Sequence, residues 1–175
     1  MACLLTSGRA LPCKNSVGGL KAVYFADYGT LGDVTLVAGE ITAIAGTPDF
    51  FKYDIKGSSS LETAITSSRE NGTTFYTQTL NLTLTTLDKA TQEEIKLLSV
   101  SRPHIAVEDY NGNFFLVGLE HGAEVTGGSI ASGASMADAS SFTLTFEAME
   151  KSPANFTVST VVTANESSTQ IDPNA

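Results

Sequence analysis

The chain has 175 residues, of which 42% are hydrophobic and 17% charged, with no Trp and a formal net charge of −9. That length predicts one domain able to bury about two-thirds of its unfolded surface, so a core forms without disulfide or metal staples. The charge is unevenly spread: residues 1–102 hold ten acids and nine bases, whereas residues 103–175 hold nine acids and the single base Lys151. An acidic second part argues against gripping nucleic acid, because binding the phosphate backbone relies on Lys and Arg. Solubility alone is the plainer reading of that charge.

Residues 1–19 read as an arm, since Thr6, Ser7, Gly8, Pro12, Asn15, Ser16, Gly18 and Gly19 interrupt every periodic run. Its apolar residues Leu4, Leu5 and Leu11, with Pro12, have no periodic partner, so the arm is expected either frayed or ordered against a neighbouring subunit. Cys3 and Cys13 are the only cysteines. Nothing before Cys13 has the charged n-region and long apolar run of a signal peptide, so cytosolic synthesis and reduced thiols are expected. No stretch approaches the ~20 apolar residues of a membrane span.

The body, residues 20–163, reads as β-rich. Leu20–Ala26 alternates as a strand, and Val34–Ala45 is expected as a second strand region, bent at Gly39. Phe51, Tyr53 and Ile55 alternate with Lys52, Asp54 and Lys56. The sequence Asn71-Gly72 supplies two residues tolerant of positive φ, so Leu61–Thr85 is expected as one long hairpin. Its second arm places Leu80, Leu82 and Leu84 on one face and Thr77, Thr79, Asn81, Thr83 and Thr85 on the other. The polar face carries hydroxyls and an amide but no charge. The corresponding polar residues of the first arm are Glu62 and Thr66.

After Leu87 the period changes from two to that of a helix. Thr91 and Glu94 have capping-box spacing, so a helix is expected from Asp88 or Thr91 to about residue 100, stopping before Arg102-Pro103. A further hairpin is expected about Asn111-Gly112. The Gly/Ser/Ala-rich interval from Glu124 to Ser141 reads as a loop with one short strand, and its part from Gly127 to Ala139 is expected to order against a neighbouring subunit. Phe142, Leu144, Phe146 and Ala148 mark a strand, and Phe156, Val158, Thr160 and Val162 another. Residues 164–175 read as a mobile polar tail.

No catalytic or cofactor constellation stands out. His104 and His121 lack Cys or His partners at zinc-site spacing, and no phosphate-cradling glycine loop or nucleophile elbow is present. Glu108 and Asp109 are adjacent on a strand and point to opposite faces. No catalytic, cofactor-binding or metal residue is therefore nominated. The glycosylation triplets at Asn71, Asn81, Asn155 and Asn165 read as chance products of a chain rich in Asn, Ser and Thr.

Several stretches together resemble the tail tube proteins of tailed bacteriophages, particularly those of phages infecting Bacteroidetes-type hosts. They are Pro12-Cys13-Lys14, then Gly18-Gly19-Leu20-Lys21 running into Val23-Tyr24-Phe25. Next come Phe114-Phe115-Leu116-Val117-Gly118, Gly122-Ala123-Glu124-Val125-Thr126-Gly127-Gly128, and Leu144-Thr145-Phe146. Their order, over residues 1 to about 150, carries the match. The resemblance implies an antiparallel β-sandwich or barrel flanked by one helix. It implies hexameric rings that stack into a tube carrying DNA from capsid to host, and hence a virion location after synthesis in the bacterial cytoplasm. Implied partners are further copies of the chain, other tail proteins such as a sheath, terminator or baseplate, and DNA in transit, with no membrane insertion. Under this reading Glu62, Thr66, Thr77, Thr79, Asn81 and Thr83 face the channel, and the acidic balance avoids holding phosphates. A head-to-tail connector or tail terminator shares the same expectations, and a secreted carbohydrate-binding β-sandwich is the rival from another class.

Overall fold

A computed structural model describes residues 4–173. In chain order the elements are β1 (Leu20–Ala26), β2 (Val34–Val37), β3 (Glu40–Ile44), β4 (Phe51–Asp54), β5 (Ser60–Ser68) and β6 (Thr73–Thr85). There follow α1 (Lys89–Leu98), β7 (His104–Asp109), β8 (Phe114–Val117), β9 (Glu124–Ala131), β10 (Ser141–Glu150), β11 (Asn155–Thr157) and α2 (Ser159–Thr163). The strands form two open sheets, β2-β3-β11-β8-β7-β1-β4 and β5-β6-β10-β9, and neither closes into a barrel. The fold is mainly β and sandwich-like. Every pairing is antiparallel except that of β11 with β3 and an isolated bridge between Phe50 and Glu166.

The sheets meet across a core that follows the period-two pattern. Leu80 and Leu82 of β6 and Phe142, Leu144 and Phe146 of β10 face Val23, Phe25, Ile105, Val107 and Val117 of the larger sheet. Ile95, the only buried residue of α1, joins the same cluster beside partly buried Leu98. A second cluster lies on the other face of the larger sheet, where Ala22, Tyr24, Ala106 and Leu116 pack with Ile41, Phe50 and Val162. Central strands β1 and β7 are thus buried on both faces. Leu20 belongs to the first cluster while Ala22 belongs to the second, because the register with β7 slips between these two residues.

Several boundaries differ from the sequence expectation. Gly39 is not a bulge within a strand: Ala38 (φ 53°) and Gly39 (φ 86°) form a two-residue turn joining β2 to β3. The turn lacks the Asn-Gly signal, and a side chain at Ala38 must tolerate the left-handed region. The helix starts at the earlier of the two expected positions, Asp88, whose carboxylate accepts the Thr91 N–H at 2.8 Å; Thr91 lies inside the helix, so the expected Thr91–Glu94 box is not its cap.

Phe156–Val162 is not one strand. Only Asn155–Thr157 pairs, and Val161 and Val162 then sit on a short helix, a second helix where one was expected. Their buried side chains complete an i, i+3, i+4 pattern with Val158 that the alternating reading overlooked. Gly127–Ala131 lies in β9 rather than in a loop, and the loop proper is 132–140. Glycine is required within that strand, because a Cβ at Gly128 would come within 2.5 Å of the Thr143 carbonyl oxygen. The start of the expected mobile tail is tied down: Phe50 N–H donates to the Asn165 carbonyl (2.9 Å) and Ser167 N–H to the Phe50 carbonyl (2.8 Å).

Candidate assembly surface

The long hairpin places the six nominated polar residues on one face. Glu62 stands opposite Thr79, Thr66 opposite Phe75, and Thr77 opposite Ala64, so residues sharing these register positions point to the same side. This is the side away from the core, since Leu80 and Leu82, which alternate with Thr79, Asn81 and Thr83, are fully buried. Asn81 accepts a hydrogen bond from the Thr145 hydroxyl at 3.0 Å, and the Thr83 N–H donates to the Ser59 hydroxyl at 3.1 Å.

The face extends beyond the hairpin. β10 pairs with β6 so that Thr143, Thr145, Glu147 and Met149 lie opposite Thr83, Asn81, Thr79 and Thr77, and β9 continues it with Ser129 and Glu124. At the level of Thr79 one row crosses all four strands: Glu62, Thr79, Glu147, Glu124. Two of these carboxylates, Glu147 and Glu124, are direct cross-strand neighbours, an arrangement that weakens the sheet. None of the four strands contains Lys or Arg. The Thr-Thr-Glu alternation of β10 was visible in the sequence, but its place beside β6 was not, because pairing partners are set by the whole fold. Phe75 and Met149 interrupt the polar surface near the hairpin end, where they are 37% and 58% exposed.

Both ends of this sheet are unpaired strands, β5 and β9. Behind β9, a groove of roughly 430 Å³ opens between that strand and α1, lined by Ile95, Ser99, Val125 and Ile130 and floored by Phe142 and Leu144. A second hollow of similar size lies at the other end, where Val17 to Leu20 run past Ser60 and Leu61 of β5. The arm is held there by Asn111, whose side chain accepts the Val17 N–H (3.0 Å) and donates to the Val17 carbonyl (2.7 Å). Asp109 organises the same turn. Burial raises its pKa, but hydrogen bonds from Asn113 and Asn111 outweigh that and hold the carboxyl below its usual range. Beyond Val17 the described arm is exposed throughout, including Pro12, with Leu4 80%, Leu5 100% and Leu11 97% exposed.

The titratable groups in and near the core serve the scaffold. His104 is buried with its Nδ1 2.6 Å from the Gly118 carbonyl, and its Nε2 accepts the Gly29 N–H at 3.1 Å, which fixes the neutral Nδ1–H tautomer. Burial lowers its pKa. Glu108 accepts from Lys21 (2.7 Å) and Tyr24 (3.1 Å), and burial, followed by the charge of Glu108, pushes the Tyr24 phenol up. The structure brings Glu120, His121 and Glu150 together, with potential ligand atoms within 4.8 Å. Each is already engaged: Glu150 accepts both backbone N–H groups of Glu120 and His121 and contacts the His121 ring, while Glu120 pairs with Lys151. This grouping caps a turn. The buried amide of Gln78 links the two sheets, accepting the Gly118 N–H and donating to the Ser152 carbonyl, both at 3.0 Å.

The class defined by this geometry is a two-sheet β-sandwich with one sheet open to solvent, polar, free of bases and unpaired at both edges. No protein family, no curated protein and no solved structure matches the chain. No helix among the described residues is long and apolar enough to cross a membrane.

Proposed function

We propose that this chain is a virion structural protein, a tail tube subunit that forms stacked, hexameric rings whose channel conducts DNA from capsid to host. The observation that carries the reading is the outer face of β5-β6-β10-β9, where Glu62, Glu147 and Glu124 are set among hydroxyls and no base occurs. A wall along which DNA slides must not bind phosphate, and such a face repels it weakly while offering no cation to hold it. The unpaired edges support the same reading. β5 has nine residues and β9 eight, neither contains Pro or Lys, and a ring of copies satisfies both by setting one edge beside the other. The order of the tail-tube-like segments from Pro12 to Phe146 adds to this.

Electron microscopy of the purified chain tests the proposal. Stacked rings with an open channel are expected. A single unstacked ring would favour the connector or terminator role instead, and monomers at every accessible concentration and salt would reject ring assembly.

A further inference from the structure

The exposed arm and the groove behind β9 lie at opposite edges of the four-stranded sheet. The arm is pinned at Val17 and leaves beside β5, whereas the groove borders β9, three strand spacings or about 14 Å away. We infer that the arm of one copy seats its leucines in the α1–β9 groove of the adjacent copy. This rests on the ring reading, in which the β5 edge of one subunit stands next to the β9 edge of the next.

Four features of the molecule favour this occupant. Leu4, Leu5 and Leu11 are almost wholly exposed in a segment that ends at a rigid anchor, an arrangement that leaves large apolar side chains in water unless a partner covers them. The groove offers the matching surface, because Gly128 places no side chain over Leu144, and Phe142 and Leu144 form an apolar floor between Val125, Ile130 and Ile95. Charge is complementary as well: residues 1–19 hold Arg9 and Lys14 and none of the nineteen acids, so a basic arm meets an acidic body. Reach is sufficient, since residues 4–16 extend to about 40 Å.

Cross-linking decides the matter. With Cys3 and Cys13 replaced by Ser in the full chain, one preparation carries Leu5→Cys or Leu11→Cys and another carries Ile130→Cys. Ser99→Cys, on the helix side of the groove, serves as a second acceptor should Ile130→Cys fold poorly. On mixing under mild oxidation, disulfide-linked heterodimers should form at least about tenfold faster than with an Asp33→Cys control in the exposed turn before β2, because docking raises the effective thiol concentration. Rates equal to the control for both arm positions with both acceptors would overturn the inference. So would a linkage formed only within one chain carrying both cysteines. Microscopy of the same samples separates the two ideas: rings without cross-links leave the tube reading standing and remove the arm contact, whereas a chain that never forms rings removes the tube reading itself.

Discussion

The two sheets solve opposite problems. In the larger sheet β1 and β7 are covered on both sides, by the inter-sheet cluster on one face and by Ile41, Phe50 and Val162 on the other. Such strands are fixed within their own chain and have no surface left to offer. In the smaller sheet β6 and β10 bury one face only, and the second face and both edges remain available. The difference teaches where a partner could act: the faces that meet between the sheets hold the fold together, and the spare face and edges of the smaller sheet are the surface the proposed assembly would use.

Truncating Leu82, fully buried between the sheets, should expose this contrast most strongly. Leu82→Ala is expected to cost about 2–5 kcal/mol in a denaturant titration, the range for a large-to-small core change. Next comes the amide that couples the sheets. Gln78→Leu removes the partner of the buried Gly118 N–H and should cost about 1–3 kcal/mol, with hydrogen exchange accelerating at Gly118. The helix closing the flank of the smaller sheet depends on its cap, and Asp88→Ala should cost about 1 kcal/mol by the same titration.

A smaller, pH-dependent effect belongs to the larger sheet. His104 has its pKa lowered in the folded state, so the unfolded chain binds the proton more readily and stability falls as pH drops below the ordinary imidazole value of about 6.5. Denaturation midpoints should decline through that window for the native chain, and the His104 part of the decline should vanish in His104→Gln. A decline of equal size in both proteins would show that His104 is not its source.

The smallest stability change is expected on the open face. Thr79→Lys with Thr83→Lys touches no buried leucine and should shift the midpoint by an amount equivalent to less than about 0.5 kcal/mol. If the chain builds the proposed tube, assembly should survive while DNA passage through it slows and becomes salt-dependent. Unchanged passage, or tubes whose Thr79 lies on the outer wall, would sever the link between this face and the channel.

Much of this was legible along the chain, and the reason is periodicity. The alternation of Leu80, Leu82 and Leu84 with Thr79, Asn81 and Thr83 follows from strand geometry alone, as do the hairpins at Asn71-Gly72 and Asn111-Gly112. Alternation puts Glu62 on the face of Thr79. The register that sets the two opposite each other comes from a four-residue loop, residues 69–72, in which Gly72 and not Asn71 takes positive φ, rather than from a tight Asn71-Gly72 turn. What only tertiary structure decided is everything that depends on non-local pairing or packing. Glu147 and Glu124 enter the acidic row because β10 and β9 pair where they do, with a register slip at Thr145 and Phe146. Val162 is helical because the outer cluster needs it there, against the β propensity of its branched side chain. Gly127 and Gly128 look like loop by composition, yet they form an edge strand because β10 approaches too closely for a side chain at Gly128.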